Sequence, residues 1–385
     1  MMTTFKQDGA ARRGAGIPAT GTAIRAAAGA LALAMATAAL WPAVGAAETP
    51  AQAASAASAA AARAPAVLTT PAILSAKSRA AVMLAAARAG ERLVAVGERG
   101  IVLLSDDNGA SWRQAGTPVQ ASLAAVQFVD AKTGWAAGHL GVVLRTDDGG
   151  QTWRKQLDGL QAADAMARAA ATPQAQAEAA QLQADGPDKP FLDLYFADRD
   201  TGYILGAYNL LFRTTDGGKT WQPWNAHVNN PKNLHLYGMR AAGGALYLVG
   251  EQGSLFRSAD NGASFEPLAS PYKGSYFGLV AGRGGELVIY GLRGTAYWSG
   301  DQGRNWQKVE TGLEQSITAG AALADGTLAL LSQGGDVLLS RDQGRTFARL
   351  PDSPSLPAAS LAQAADGALI VAGLRGIKRL APTTK

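Results

Sequence analysis

The sequence predicts an all-β protein, a seven-bladed β-propeller with N-to-C strand closure, on three observations. One phrase recurs six times, a second runs ahead of it seven times, and both share a period near 41 residues. The first phrase, S/T-x-D-x-G-x-x-W/F, reads Ser105 to Trp112 and returns from Thr146, Thr214, Ser258, Ser299 and Ser340. Its carboxylates are Asp107, Asp148, Asp216, Asp260, Asp301 and Asp342. The second phrase is a Gly turn, Gly97-Glu-Arg-Gly100 in the first repeat and Gly373-Leu-Arg-Gly376 in the last. Successive Gly turns lie 41, 68, 44, 41, 41 and 41 residues apart, which counts seven units.

Each Asp phrase follows a short apolar run such as Ile101-Val-Leu-Leu104 and precedes another extended run, the pattern of strand, turn, strand. Within the turn the Asp carboxylate accepts backbone N–H bonds, the Ser/Thr hydroxyl adds another, and Gly supplies the positive φ that a Cβ resists. The aromatic buries its ring beside the hairpin. The six aspartates therefore read as structural. A full unit is legible at Leu123–Phe128, Gly134–Gly138, Val142–Thr146 and Trp153–Gln156, four short strands in about 40 residues. The seventh repeat supplies about three strands and no Asp phrase, so the extended Pro65–Pro71 is expected to complete it and leave no open seam.

The 68-residue step holds an insertion, residues 157–189 between blades two and three. Good helix formers dominate it and Pro173 divides them, which predicts two short helices. In repeat proteins such insertions cluster on one face, often the binding face; a solvated loop is the alternative.

Lys6, Arg12, Arg13 and Arg25 precede the apolar run 26–40, and small residues follow up to Ala46 and Ala47, the layout of a secretory signal peptide over residues 1–47. The expected product is an exported or periplasmic protein cut near Ala46 or Ala47. The run is shorter than the roughly 20 residues a membrane span needs. Residues 48–64 read as an Ala/Ser/Pro-rich linker, and 65–385 as the propeller. The chain has no Cys, so packing alone must hold the exported fold. Without residues 1–47 it carries 31 Lys and Arg against 29 Asp and Glu, net +2 instead of +5, and no nucleic-acid signal remains.

The Asp turns, the Gly turns, the segment Gly186-Pro-Asp-Lys-Pro-Phe-Leu192 and Pro271-Tyr-Lys-Gly-Ser-Tyr-Phe-Gly278 together resemble the bacterial photosystem II stability/assembly factor-like proteins, within the Asp-box (BNR) repeat propellers. The likeness spans about residues 70–380. It implies a non-catalytic, monomeric propeller acting outside the cytoplasm on a protein or peptide segment of a membrane complex, reaching the membrane only through that partner. In non-photosynthetic bacteria similar proteins look like companions of membrane export systems, such as RND-type exporters.

In a propeller the Gly turns and the blade-to-blade links share the face opposite the Asp turns. That face is the expected binding face, with Arg99, His139, Tyr208, Asn209, Glu251, Arg293 and Arg375 at the Gly turns and His235, Lys273 and Tyr276 beside them. The rival function is a sialidase-like glycoside hydrolase, in which Arg99, Arg293 and Arg375 would clamp a carboxylate. The Phe/Tyr-Arg-Ile-Pro motif of sialidases is absent, and no catalytic carboxylate pair stands out at the mouth. The three histidines, His139, His227 and His235, lie in different repeats without ligand spacing, so neither metal nor cofactor is expected.

Overall fold

The computed structural model describes residues 64–382. The signal peptide and nearly all of the linker lie outside these residues. Seven antiparallel sheets follow one another in sequence order, six of four strands and a last one of three. Their innermost strands are Met83–Ala89, Leu123–Phe128, Phe191–Phe196, Leu236–Ala242, Tyr276–Ala281, Ile317–Ala322 and Ala358–Gln363. Each lies beside the next, and the last beside the first, so the ring is closed.

No blade can bury both of its faces alone, and an apolar core occupies each of the seven junctions. Between blades two and three, Trp135 stacks on Phe196 with ring centroids 3.6 Å apart. Between blades seven and one, Met83, Leu93, Leu103 and Trp112 pack on Ala364, Ala368 and Ile370.

The Asp phrases satisfy themselves as their residues demand. In the first, the Ser105 hydroxyl donates to Asp107 Oδ1 (2.8 Å) and accepts from the Gly109 N–H (2.8 Å). Ser111 donates its N–H to Asp107 Oδ1 (2.8 Å) and its hydroxyl to Oδ2 (2.6 Å), and the Trp112 indole N–H reaches the Gly109 carbonyl (3.2 Å). Position seven of the phrase is thus also specified: Ser111, Thr152, Thr220, Ser264, Asn305 and Thr346 all bond the aspartate.

The phrases also join blades, which the turn pattern by itself does not show. The residue between Asp and Gly is left-handed in all six, with φ from 56° at Asn261 to 71° at Gly149 and Gly217. Its carbonyl accepts a donor from the preceding blade. Arg92 donates to Gly149 (3.2 Å), Tyr203 to Asn261 (3.2 Å), Tyr247 to Gln302 (3.3 Å) and Trp298 to Gln343 (2.9 Å). Three groups converge on Gly217: Trp135 (3.3 Å), Arg145 (2.7 Å) and Gln156 (2.9 Å). Arg379 of blade seven donates to Asn108 of blade one (2.9 Å), while Asn108 Oδ1 accepts the Ala365 N–H (3.1 Å).

That seam corrects the expected strand closure. Pro65–Pro71 adds no strand to blade seven, whose sheet stops at three. The segment coils instead, with Ala66–Leu68 in a 3-10 turn, because Leu68 buries its side chain in the core between blades one and two. Gln120 donates its N–H to Val67 (2.7 Å), Ala72 to Thr117 (3.0 Å), and Lys155 Nζ to Leu68 (3.1 Å), so this strap is spent on the outer edge of the first two blades. Ring closure rests on apolar packing, the Asn108 latch and the Ala86 N–H that donates to Ser360 Oγ (3.1 Å) between the two inner strands.

The insertion forms helices α1 (Gly159–Ala169) and α2 (Pro173–Asp185) between the outermost strand of blade two and the innermost of blade three. Asp158 and Gln161 make a reciprocal capping box on α1; Thr172 caps α2 with Pro173 in its first turn. Among the described residues no helix is long and apolar enough to cross a membrane.

Candidate functional site

The Gly turns are built by close approach. Each returns toward the residue that precedes the innermost strand: a Cβ on Gly97 would lie 2.0 Å from the Val82 carbonyl oxygen, and one on Gly138, Gly206, Gly250, Gly291 or Gly373 would meet the equivalent oxygen at 2.1–2.2 Å. A side chain is excluded there. The turn tip then takes two successive left-handed residues, as a tight hairpin requires. In blade one these are Arg99 (φ 52°) and Gly100 (φ 72°), and Arg293 and Gln252 hold the same tip conformation in blades five and four.

Exposed tips carry Arg99, His139, Tyr208, Arg293 and Arg375, and Lys273 is exposed on the link to blade five. The tip N–H groups are held by the next blade: Arg99 N–H donates to Ser122 Oγ (3.3 Å), Arg293 N–H to Ser316 Oγ (3.4 Å) and Tyr208 N–H to His235 Nδ1 (3.3 Å). These supporting serines were not legible as a motif, although they recur just before the inner strands. Two expected contact residues are placed in the interior. Tyr276 is wholly buried, its hydroxyl shares a bond with Ser270 Oγ (2.9 Å), and burial pushes its pKa up to about 12. Asn209 is buried too, accepting from Asn230 Nδ2 (3.0 Å). Both support the face from below, because the turn needs a left-handed Asn where other blades have Gly and the inner strand needs an apolar first residue.

The structure gathers the sector around blades three and four. The Tyr208 ring, 58% exposed, meets the His235 imidazole edge-on at 4.7 Å, with Lys189 Nζ 5.2 Å from its centre. Lys189 is tied to Asp185 (3.1 Å) and Asp188 (2.7 Å), and His235 faces Glu251 at 3.4 Å. Behind Tyr208 a groove of about 360 Å³ runs between the insertion and the Asn225–Asn233 link, floored by Met166, Leu182 and Leu210. An aromatic Tyr at φ 53° beside a buried left-handed Asn209 (φ 61°) is strained backbone, the kind that accumulates at binding sites.

A second feature lies within the ring. Every inner strand carries a register shift near its start, and each shift turns one extra residue toward the axis: Leu84, Ala124, Leu192, Tyr237, Phe277, Thr318 and Ala359 line the channel. The next positions are Ala85, Ala125, Asp193, Gly238, Gly278, Ala319 and Ser360, small in every blade except for Asp193. Asp193 pairs with Arg240 (2.6 Å). These strands are almost wholly apolar or small, so nothing in the sequence marks the bulge or the residues that face the axis.

Among the described residues no group of three His, Asp or Glu is placed to hold a metal. Glu98 and Glu251, the main acids at the mouth, are occupied by backbone amides: Val82 N–H donates to Glu98 (3.0 Å) and His235 N–H to Glu251 (3.3 Å).

With this geometry in place, the chain matches the family model described as photosynthesis system II assembly factor YCF48 over residues 169–336, from within the insertion through the second strand of blade six. A solved structure of YCF48 bound to a D1 peptide aligns at TM-score 0.60 and 17% identity, covering 81% of this chain and 96% of that one. Over residues 169–336, somewhat less than half of its length, the chain is similar to the photosystem II assembly factor-like propellers. YCF48 from Cyanidioschyzon merolae aligns at TM-score 0.57 and 14% identity, over 78% of this chain and 95% of that one. The β-propeller domain of Doa1 aligns at 0.59 and 11% identity, covering 81% and 95%. At these identities the solved structures establish the propeller fold only. No curated protein matches the sequence.

Proposed function

We propose that this propeller binds an extended peptide segment of a protein partner across its Gly-turn face and performs no catalysis. The carrying observation is the exposed, strained Tyr208 tip, flanked by Lys189 and His235 above an apolar-floored groove. Exposed aromatics and cations set on rigid turns are the residues that dominate peptide and protein interfaces. The similarity to YCF48, solved with a D1 peptide, supports the reading, as does the engagement of Glu98 and Glu251 by backbone amides.

Residues 1–47 direct the protein out of the cytoplasm, where it acts as a monomer on a membrane complex, an export system of the RND type being the partner class favoured. The test is a peptide array made from periplasmic segments of such complexes, with hits titrated against wild type, Tyr208→Ala and an Arg99/Arg293/Arg375 triple alanine. Binding that weakens at least about tenfold in Tyr208→Ala supports the reading. Equal affinity for all three proteins removes it, and turnover of a fluorogenic sialoside abolished by Arg293→Ala would establish the hydrolase instead.

A further inference from the structure

The channel holds charge that the fold does not use up. Arg240 Nη1 donates to Asp193 Oδ2 (2.6 Å) and to the Met239 carbonyl (2.5 Å), which occupies both of its hydrogens. The Met239 N–H also donates to Asp193 Oδ2 (3.0 Å). Among the described residues nothing accepts from Arg240 Nε or Nη2, and nothing donates to Asp193 Oδ1. Nε and Nη2 form the side edge of the guanidinium fork, the edge that presents two parallel N–H bonds to a carboxylate. One donor edge and one acceptor oxygen therefore open together on a cavity of about 300 Å³.

The wall around them is specialised. Tyr290 comes from the second strand of blade five and reaches the channel between Gly278 and Gly320, where a Cβ would lie 2.4 and 2.7 Å from its ring atoms or hydroxyl. The Tyr237 and Phe277 rings, 5.6 Å apart, stand on the wall toward the Gly-turn face. The pair borders open space, so its unused donors and acceptor face the lumen.

We propose that the channel is a binding site for a small zwitterion, a free α-amino acid, whose carboxylate accepts from Arg240 Nε and Nη2 and whose ammonium donates to Asp193 Oδ1. The net charge of the pair is zero, so a zwitterion adds none, whereas a simple anion or cation would leave one charge uncompensated in the lumen. The cavity volume sits at the lower end of ligand pockets and suits a ligand of this size. The site is separate from the peptide face, since neither Asp193 nor Arg240 belongs to the turns.

The test uses the mature chain, with saturation-transfer NMR and calorimetric titration against glycine, L-alanine and L-leucine, and against acetate and methylammonium as half-ligands. Amino acid binding at millimolar concentration or tighter, with each half-ligand at least about tenfold weaker, is expected. The Asp193→Asn/Arg240→Gln double variant keeps the shape and removes both charges, and it loses at least about tenfold in affinity. Ala359→Trp, which fills the lumen from the wall of blade seven, loses binding with the ion pair intact and decides the matter if the double variant does not fold. Tyr208→Ala retains amino acid binding. The proposal is overturned by silence from all three amino acids, by acetate binding as tightly as they do, or by binding that survives a filled lumen.

Discussion

Trp135→Ala tests whether junction packing holds the ring. Trp135 is wholly buried, lies 3.6 Å from Phe196 in a 7° stack, and sends its indole N–H to Gly217 of blade three. Truncating a buried Trp costs about 3–5 kcal/mol in transfer and cavity terms. The lost stack adds about 0.5–1.5 kcal/mol. The lost hydrogen bond adds little, because Gly217 still accepts from Arg145 (2.7 Å) and Gln156 (2.9 Å) and its carbonyl is not orphaned. The expected total is about 5 kcal/mol. Guanidinium denaturation followed by far-UV circular dichroism reads it as a midpoint lowered by about 1 M, taking a slope of about 5 kcal/mol/M for a domain of this size. Trp135→Phe keeps an aromatic on Phe196 and should lose only about 1–2 kcal/mol. A Trp135→Ala protein within about 1 kcal/mol of wild type at unchanged slope would refute junction packing as the source of ring stability.

Three further outcomes follow from the turns. Gly97→Ala should destabilise by about 3 kcal/mol, because its Cβ would meet the Val82 carbonyl at 2.0 Å, while Gly116→Ala, with nothing within 4 Å, should stay within about 0.5 kcal/mol; thermal melts compare them, and equal effects would contradict the close-approach account. The Ser111 hydroxyl and N–H hold Asp107 at about 2, and the Asn305 N–H and side chain do the same for Asp301. With the unfolded carboxyl near roughly 3.9, this stabilisation is complete above about pH 4 and is lost as pH falls toward 2, so the denaturation midpoint should be flat from pH 5 to 7 and drop below 4, less steeply in Ser111→Ala. Tyr208→Gly relieves a left-handed aromatic, so it should leave stability unchanged or raise it by up to about 1 kcal/mol while weakening peptide binding at least about tenfold by calorimetry; a clear loss of stability would show that the tip is structural.

Local chemistry was the legible part. The Asp phrase names its own turn because every side-chain hydrogen bond of Ser105, Asp107, Ser111 and Trp112 is made within eight residues. The fate of Pro65–Pro71 was not legible, since its extended appearance says nothing about Leu68 finding a pocket between blades one and two. Tyr276 looked like a surface aromatic next to Lys273, yet it is the first buried residue of an inner strand, as Leu236 and Ile317 are in their blades.

Periodicity by itself therefore determined the number of blades, the strand order within each and the turns between them, because these depend on contacts a few residues apart. Only the tertiary structure decided how the ring is joined, which turn residues face out and what the axis holds. Asn108 meets Arg379 and Asp193 meets Arg240 across separations of 271 and 47 residues, and such pairings exist only once the ends of the ring, or two neighbouring blades, lie side by side.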